Sequence, residues 1–79
     1  MAKLIKEFKL ANTKDGKISV AHIDEPYGSD SNPVVSIGIS LKGDSVEPDW
    51  KAHIPYENLD ELIEALQEVK NLYKLNFRT

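Results

Sequence analysis

The chain has no cysteine. That excludes disulfides, thiolate metal sites and cysteine nucleophiles. A small cysteine-free domain fits a reducing compartment, so a cytoplasmic address is expected. A long apolar run is missing too. The opening residues, MAKLIKEFKL, carry a charge every few positions, which fits neither a signal peptide nor a membrane span; no membrane partner is expected. Aromatic residues are sparse, at 8%, so few rings are available for stacking. Nor is there a basic excess: Lys and Arg total 10 against 13 Asp and Glu, for a net charge of −3. On average that argues against a strongly basic nucleic-acid binder, and it makes the placement of the charges the deciding question.

Catalytic motifs are equally scarce. His22 and His53 are the only side chains suited to proton transfer near neutral pH. His22 lies close to Asp24 and Glu25, an unspecific spacing that reads as a strand-end histidine beside an acidic loop. Asp44, Glu47 and Asp49 form an acidic loop without calcium-loop spacing. Gly28 and Gly43 are isolated and belong to no phosphate-cradling motif, and the serines lack a partner pattern for nucleophilic catalysis. No catalytic residue, metal or cofactor is implied, and the chain reads as a non-enzymatic binding protein.

What is present is a single domain, residues 1–79, of α+β class. Strands are expected near 3–11, 17–24, 34–42 and 50–54, forming an antiparallel meander. Val35, Ile37, Ile39 and Leu41 alternate with Val34, Ser36, Gly38, Ser40 and Lys42, giving one apolar and one small, polar face. Gly38 within that run marks a bulge or a close approach by another group. Lys6 breaks the parity of Leu4, Phe8 and Leu10, which points to a bulge or an exposed end. Asp15-Gly16 is a hairpin signal, with Gly16 able to take positive φ. The connection 24–33, with two prolines and Gly28, is long for a hairpin and reads as mobile.

A C-terminal helix is expected at about 57–71. Leu59, Leu62, Ile63, Leu66, Val69 and Tyr73 recur at helical spacing, and Glu57, Asp60, Glu61, Glu64 and Glu68 occupy the opposite side. Asn58 with Glu61 has the form of a capping box, and Pro55 in a first turn is the rival start. Leu75 and Phe77 alternate in the tail, as a short fifth strand or a docking segment would. The apolar stripe is expected to pack across one face of the sheet.

With the helix covering Leu4, Phe8, Ile18, Val20, Ile37, Ile39, Trp50 and Ile54, the open face carries Lys3, Lys9, Lys17, Lys42, Lys51 and His53. Small residues Ser19, Ala21, Ser36, Gly38 and Ser40 lie between them. Such a face suits a single-stranded nucleic-acid backbone, with lysines on phosphates. The alternative is a protein-interaction or inhibitory surface made by Glu57, Glu61, Glu64 and Glu68 of the helix, with a homodimer as a further possibility. Pro48-Asp49-Trp50-Lys51, Ile54 and the acidic helix resemble the corresponding segment of the positive-cofactor-four-like transcriptional coactivators, over residues 48–69. Trp50-Lys51-Ala52 stands where that family has a KKG-like run. The resemblance implies a four-strand-plus-helix fold, single-stranded DNA binding as a dimer, and Lys51 as a nucleic-acid contact.

Overall fold

The computed structural model describes residues 2–43 and 47–77. Four strands, β1 (Ala2–Lys9), β2 (Lys17–Ile23), β3 (Val34–Ser40) and β4 (Trp50–Pro55), precede one helix, α1 (Tyr56–Phe77). The strands form an antiparallel meander in the order β1-β2-β3-β4, so each connection joins spatial neighbours. Strands and helix are as the sequence predicts. Their assembly differs in one respect. The helix does not lie across the sheet; it meets it chiefly at β4.

The cause is local. Pro55 is the last residue of β4 and Tyr56 the first of α1, with nothing between. Proline's fixed φ is compatible with a helix start, and its missing N–H leaves no donor unsatisfied there. Asn58 therefore lies inside the first turn and is not the cap. With no loop, the chain has no means of reversing direction, and the helix runs outward from the sheet. Glu57 in its first turn and Lys74 in its last suit the helix dipole. No glycine or proline follows Pro55, so the helix continues through Leu75 to Phe77 and no fifth strand forms. The molecule is accordingly long and thin, 50 × 31 × 17 Å. Its radius of gyration is 14.6 Å, against about 12 Å for a compact chain of this length.

Residues directly opposed across the ladders share a face. One face, apolar, holds Phe8, Ile18, Val20, Val35, Ile37, Ile39, Trp50, Ala52 and Ile54. The other holds Lys9, Lys17, Ser19, Ala21, Ser36, Gly38, Ser40, Lys51 and His53. The pairing slips by one residue between Leu4 and Lys6, so Ile5 is the extra residue of a bulge. This bulge inverts the parity of the first half of β1. Leu4 moves to the polar face, opposite Ala21, and Lys3 to the apolar face, opposite His22.

The β1–β2 connection also departs from expectation. Asn12, not Gly16, takes the left-handed conformation (φ 67°). Gly16 is needed for space: it is buried, and a Cβ there would collide with Thr13 Oγ1. That hydroxyl is committed, donating to the Leu10 carbonyl at 2.6 Å and accepting from Gly16 N–H at 3.0 Å. The connection 24–33 is tied by its own bonds. Gly28 N–H donates to the Glu25 carbonyl and Ser31 N–H to the Gly28 carbonyl. Ser31 Oγ accepts from Tyr27 N–H and donates to the Gly28 carbonyl.

The start of α1 is fastened to the sheet by His22. Its Nε2 lies 2.6 Å from Asp24 Oδ1 and its Nδ1 2.6 Å from Tyr56 Oη. A carboxylate only accepts, so Nε2 carries the proton to Asp24, and in the neutral ring Nδ1 accepts from the tyrosine. The contact spans β2 to α1 over Val35, one of the two hydrophobic residues that are buried among those described. Tyr56→Phe removes this bond while keeping the ring. It is expected to cost about 0.5–1.5 kcal/mol, read as a lower urea midpoint at fixed protein concentration. An unchanged midpoint would show that His22 does not hold the helix start.

Candidate nucleic-acid interface

The polar face is less open than its composition predicts. Ser36, Gly38 and Ser40 are buried, whereas Ile37 and Ile39 on the apolar face are only half-buried. The reason is that connecting segments fold over the polar side. Pro48 sits above Gly38: a Cβ on that glycine would stand 3.2 Å from Pro48 Cγ and 2.9 Å from Ser19 Oγ. This is the close approach that a glycine in mid-strand signals. Leu41 N–H donates to Asp49 Oδ2 at 2.7 Å, which closes the β3–β4 connection around the proline.

Two adjoining depressions result. The first, about 550 Å³, lies at the end of the sheet where the β1–β2 connection faces the segment after β3. Lys9, Lys14, Lys17 and Lys42 line it, together with Glu7 and Asp15. Four lysines and two acidic residues thus border one depression in a chain that is acidic overall. Lys17 Nζ lies 3.4 Å from Glu7 Oε1, so one of the four is partly engaged. Gly43 permits the convergence. Its φ is +84°, and a Cβ would come within 2.9 Å of the Asp15 carbonyl, so only glycine brings the two segments this close.

The second depression, about 380 Å³, runs along the middle of the same face. Ser19, Ala21, Ser36 and Gly38 form its floor, and Leu4, Ile23, Pro48 and Lys51 are among its walls. A floor of small side chains bordered by apolar groups suits a flat ring better than a branched aliphatic chain. Beyond it, Tyr27 reaches over from the 24–33 connection. Its hydroxyl is 3.1 Å from His53 Nδ1 and the ring centroids are 5.7 Å apart at 51°. The tyrosine nevertheless remains 75% exposed. From the row of Lys9 and Lys17 to the row of His53 the face spans about 14 Å, four residues of strand.

The strand lysines Lys9, Lys17 and Lys51 are brought to one face, and Lys42 joins them at its end. Lys3 is not, because the Ile5 bulge turns it to the other side. His53 is on the expected face but serves chiefly to hold Tyr27, and its Nε2 is buried without a hydrogen-bond partner. Lys14 escaped the sequence reading, and Tyr27 is an aromatic that the sequence offers for stacking without placing it. Lys14 lies in a turn, outside any strand parity. Tyr27 lies in a long connection whose path no local pattern reveals. Glu57, Glu61, Glu64 and Glu68 are exposed on the helix, away from these depressions. Asp44 lies outside the described residues. Among the described residues, no three His, Asp or Glu side chains group as metal ligands would, and no helix is long and apolar enough to cross a membrane. Comparison of the chain with protein-family models, curated proteins and solved structures finds no match.

The trough is sensitive to its floor. Gly38→Val places methyl groups where Pro48 and Ser19 already stand. Overpacking of this kind is expected to destabilise by about 1–3 kcal/mol, measured by denaturant unfolding. Gly38→Ala should cost less, and less again beside Ser19→Ala, which removes the nearest obstructing atom. Equal stability of all three proteins would mean that Pro48 does not rest on the floor.

Proposed function

We propose that the protein is a non-enzymatic binder of single-stranded nucleic acid, acting through the polar sheet face. The observation that carries this reading is the convergence of Lys9, Lys14, Lys17 and Lys42 on one depression of a net-acidic chain. Like charges are gathered there at an electrostatic cost that a polyanion would relieve. The adjoining trough and Tyr27 add what a lysine cluster alone lacks. Phosphates sit among the ammonium groups, a base lies over the small-residue floor, and the exposed tyrosine offers a face for stacking. Lys51 adds a further cation at the wall of the trough. The likeness of residues 48–69 to the positive-cofactor-four-like coactivators, in which Lys51 is the matching contact, points the same way.

Affinity for a labelled single-stranded oligonucleotide should fall steeply with salt. Release of counterions from four phosphate contacts gives a slope of about −3 in log K against log salt, or a loss of about 50-fold between 50 and 200 mM. Lys14→Gln and Lys42→Gln should each flatten that slope by about 0.7. Tyr27→Ala should weaken binding by about 1–3 kcal/mol without changing the slope. Undetectable binding at low salt, or slopes indifferent to Lys14 and Lys42, would sink the proposal.

A second reading rests on the helix. It projects from the sheet with Glu57, Glu61, Glu64 and Glu68 exposed along one side, a surface suited to a basic protein partner. Glu61→Lys together with Glu64→Lys should abolish capture of such a partner and leave oligonucleotide binding intact.

A further inference from the structure

The lysine-lined depression is walled at the end of the sheet. The row of Lys9 and Lys17 is the last of the β1–β2 ladder, and Ser40, opposite Lys17, is the last residue of β3. Beyond that row Lys14, Asp15, Gly16 and Gly43 line the depression. The two connections touch there, with the Asp15 carbonyl within 2.9 Å of the place a Gly43 Cβ would take. A strand laid along the polar face from Tyr27 towards Lys9 meets this contact and must end or leave the face. The wall is fixed in place. Leu10 N–H donates to the Gly16 carbonyl at 2.9 Å, and Thr13 Oγ1 ties the Leu10 carbonyl and the Gly16 N–H. Lys14 belongs to the turn so held.

We infer that this depression receives a terminal phosphate, the phosphomonoester at the end of a single strand, with the adjoining base in the trough. The inference rests on the single-strand binding proposed above and adds which part of the strand the lysines take. Charge separates a terminal phosphate from an internal one. Lys9, Lys14, Lys17 and Lys42 against Glu7 and Asp15 leave a surplus of two positive charges. An internal phosphodiester carries a single negative charge, whereas a phosphomonoester carries about 1.5 to 2 near pH 7. Of the four lysines Lys17 is ion-paired, to Glu7 at 3.4 Å, while Lys9, Lys14 and Lys42 enter no ion pair among the described residues. Lys9 and Lys17 are directly opposed in the ladder, a placement of like charges that costs stability and that an anion between them would relieve. Spacing fits as well. Ser19, the nearest floor residue of the trough, lies two strand residues from Lys17, about 7 Å. That is of the order of the reach from a phosphate across its sugar to its own base. A terminal nucleotide can thus place its phosphate at the walled end and its base on the small-residue floor beside Pro48, with the next nucleotides continuing towards Tyr27. A 5′ and a 3′ phosphate share this chemistry, and separate oligonucleotides distinguish them.

Three single-stranded oligonucleotides of one sequence, each with an internal fluorophore, carry a 5′ phosphate, a 3′ phosphate or hydroxyls at both ends. Binding of each to the full chain is followed by anisotropy at one fixed salt concentration. One phosphorylated form should bind about 10-fold or more tighter than the hydroxyl form, the effect of a further charge-assisted hydrogen bond. Which form it is gives the direction of the strand on the sheet. Lys14→Gln, in the wall of the depression, should abolish most of that ratio. Lys51→Gln, at the wall of the trough, should weaken all three strands alike and leave the ratio as it is. Urea midpoints of both variants confirm that they are folded. A hydroxyl-ended strand that binds as tightly as either phosphorylated form overturns the inference and leaves single-strand binding standing. So does an equal gain from either end that Lys14→Gln does not reduce, which reflects added charge alone. No binding of any of the three strands removes this inference and the reading it rests on together.

Discussion

The absence of any residue between Pro55 and Tyr56 governs the rest of this structure. A strand that becomes a helix through a loop can fold the helix back over its sheet. A strand that becomes a helix at once cannot, because proline fixes one torsion and the first helical turn fixes the next several. His22 reinforces the outcome by holding Tyr56 from the far side of Val35 while it holds Asp24. The sheet then keeps its hydrophobic face, the helix keeps its own, and neither satisfies the other within the chain.

The same constraint explains why burial is distributed as it is. With only the start of the helix on the apolar side, most of the cover for the sheet must come from its connections, and these fold over the polar side. Pro48 lies on Gly38 and Tyr27 lies on His53. Small hydroxyl-bearing residues of β3 therefore become the best-shielded positions, while large aliphatic ones stay half in water. A face that would otherwise be a flat, hydrated surface acquires relief: a basic depression at one end, a trough in the middle and an exposed ring at the other. Relief and charge together are what the proposed binding of an extended polyanion rests on.

Much of the architecture was legible in the residues because it rests on local periodicity. Ile18 and Val20, then Ile37 and Ile39, alternate with small polar residues, and that alternation sets strand, face and register together. Lys6 signalled the bulge that the Leu4–Lys6 slip realises, although parity alone did not show that the bulge would carry Lys3 to the far side. Gly16 announced a turn for the wrong reason: its role is to leave room for the Thr13 hydroxyl, and Asn12 takes the left-handed conformation. Of the candidate site, Lys9, Lys17, Lys42 and Lys51 followed from strand parity. Lys14 and Tyr27 did not, since the first depends on Gly43 approaching Asp15 and the second on His53 capturing a hydroxyl across twenty-six positions of sequence.

By itself the sequence determined the secondary structure, the order of the meander and the separation of an apolar from a lysine-bearing face. These follow from side-chain alternation and helical spacing, which act between residues a few positions apart. The tertiary structure alone decided where the helix points, which connections cover which face, and which lysines meet. Those outcomes depend on one torsion at Pro55, one inserted residue at Ile5 and one close approach at Gly43. Each is a small local event whose effect grows with distance along the rigid element that follows it, and no periodicity in the chain encodes that distance.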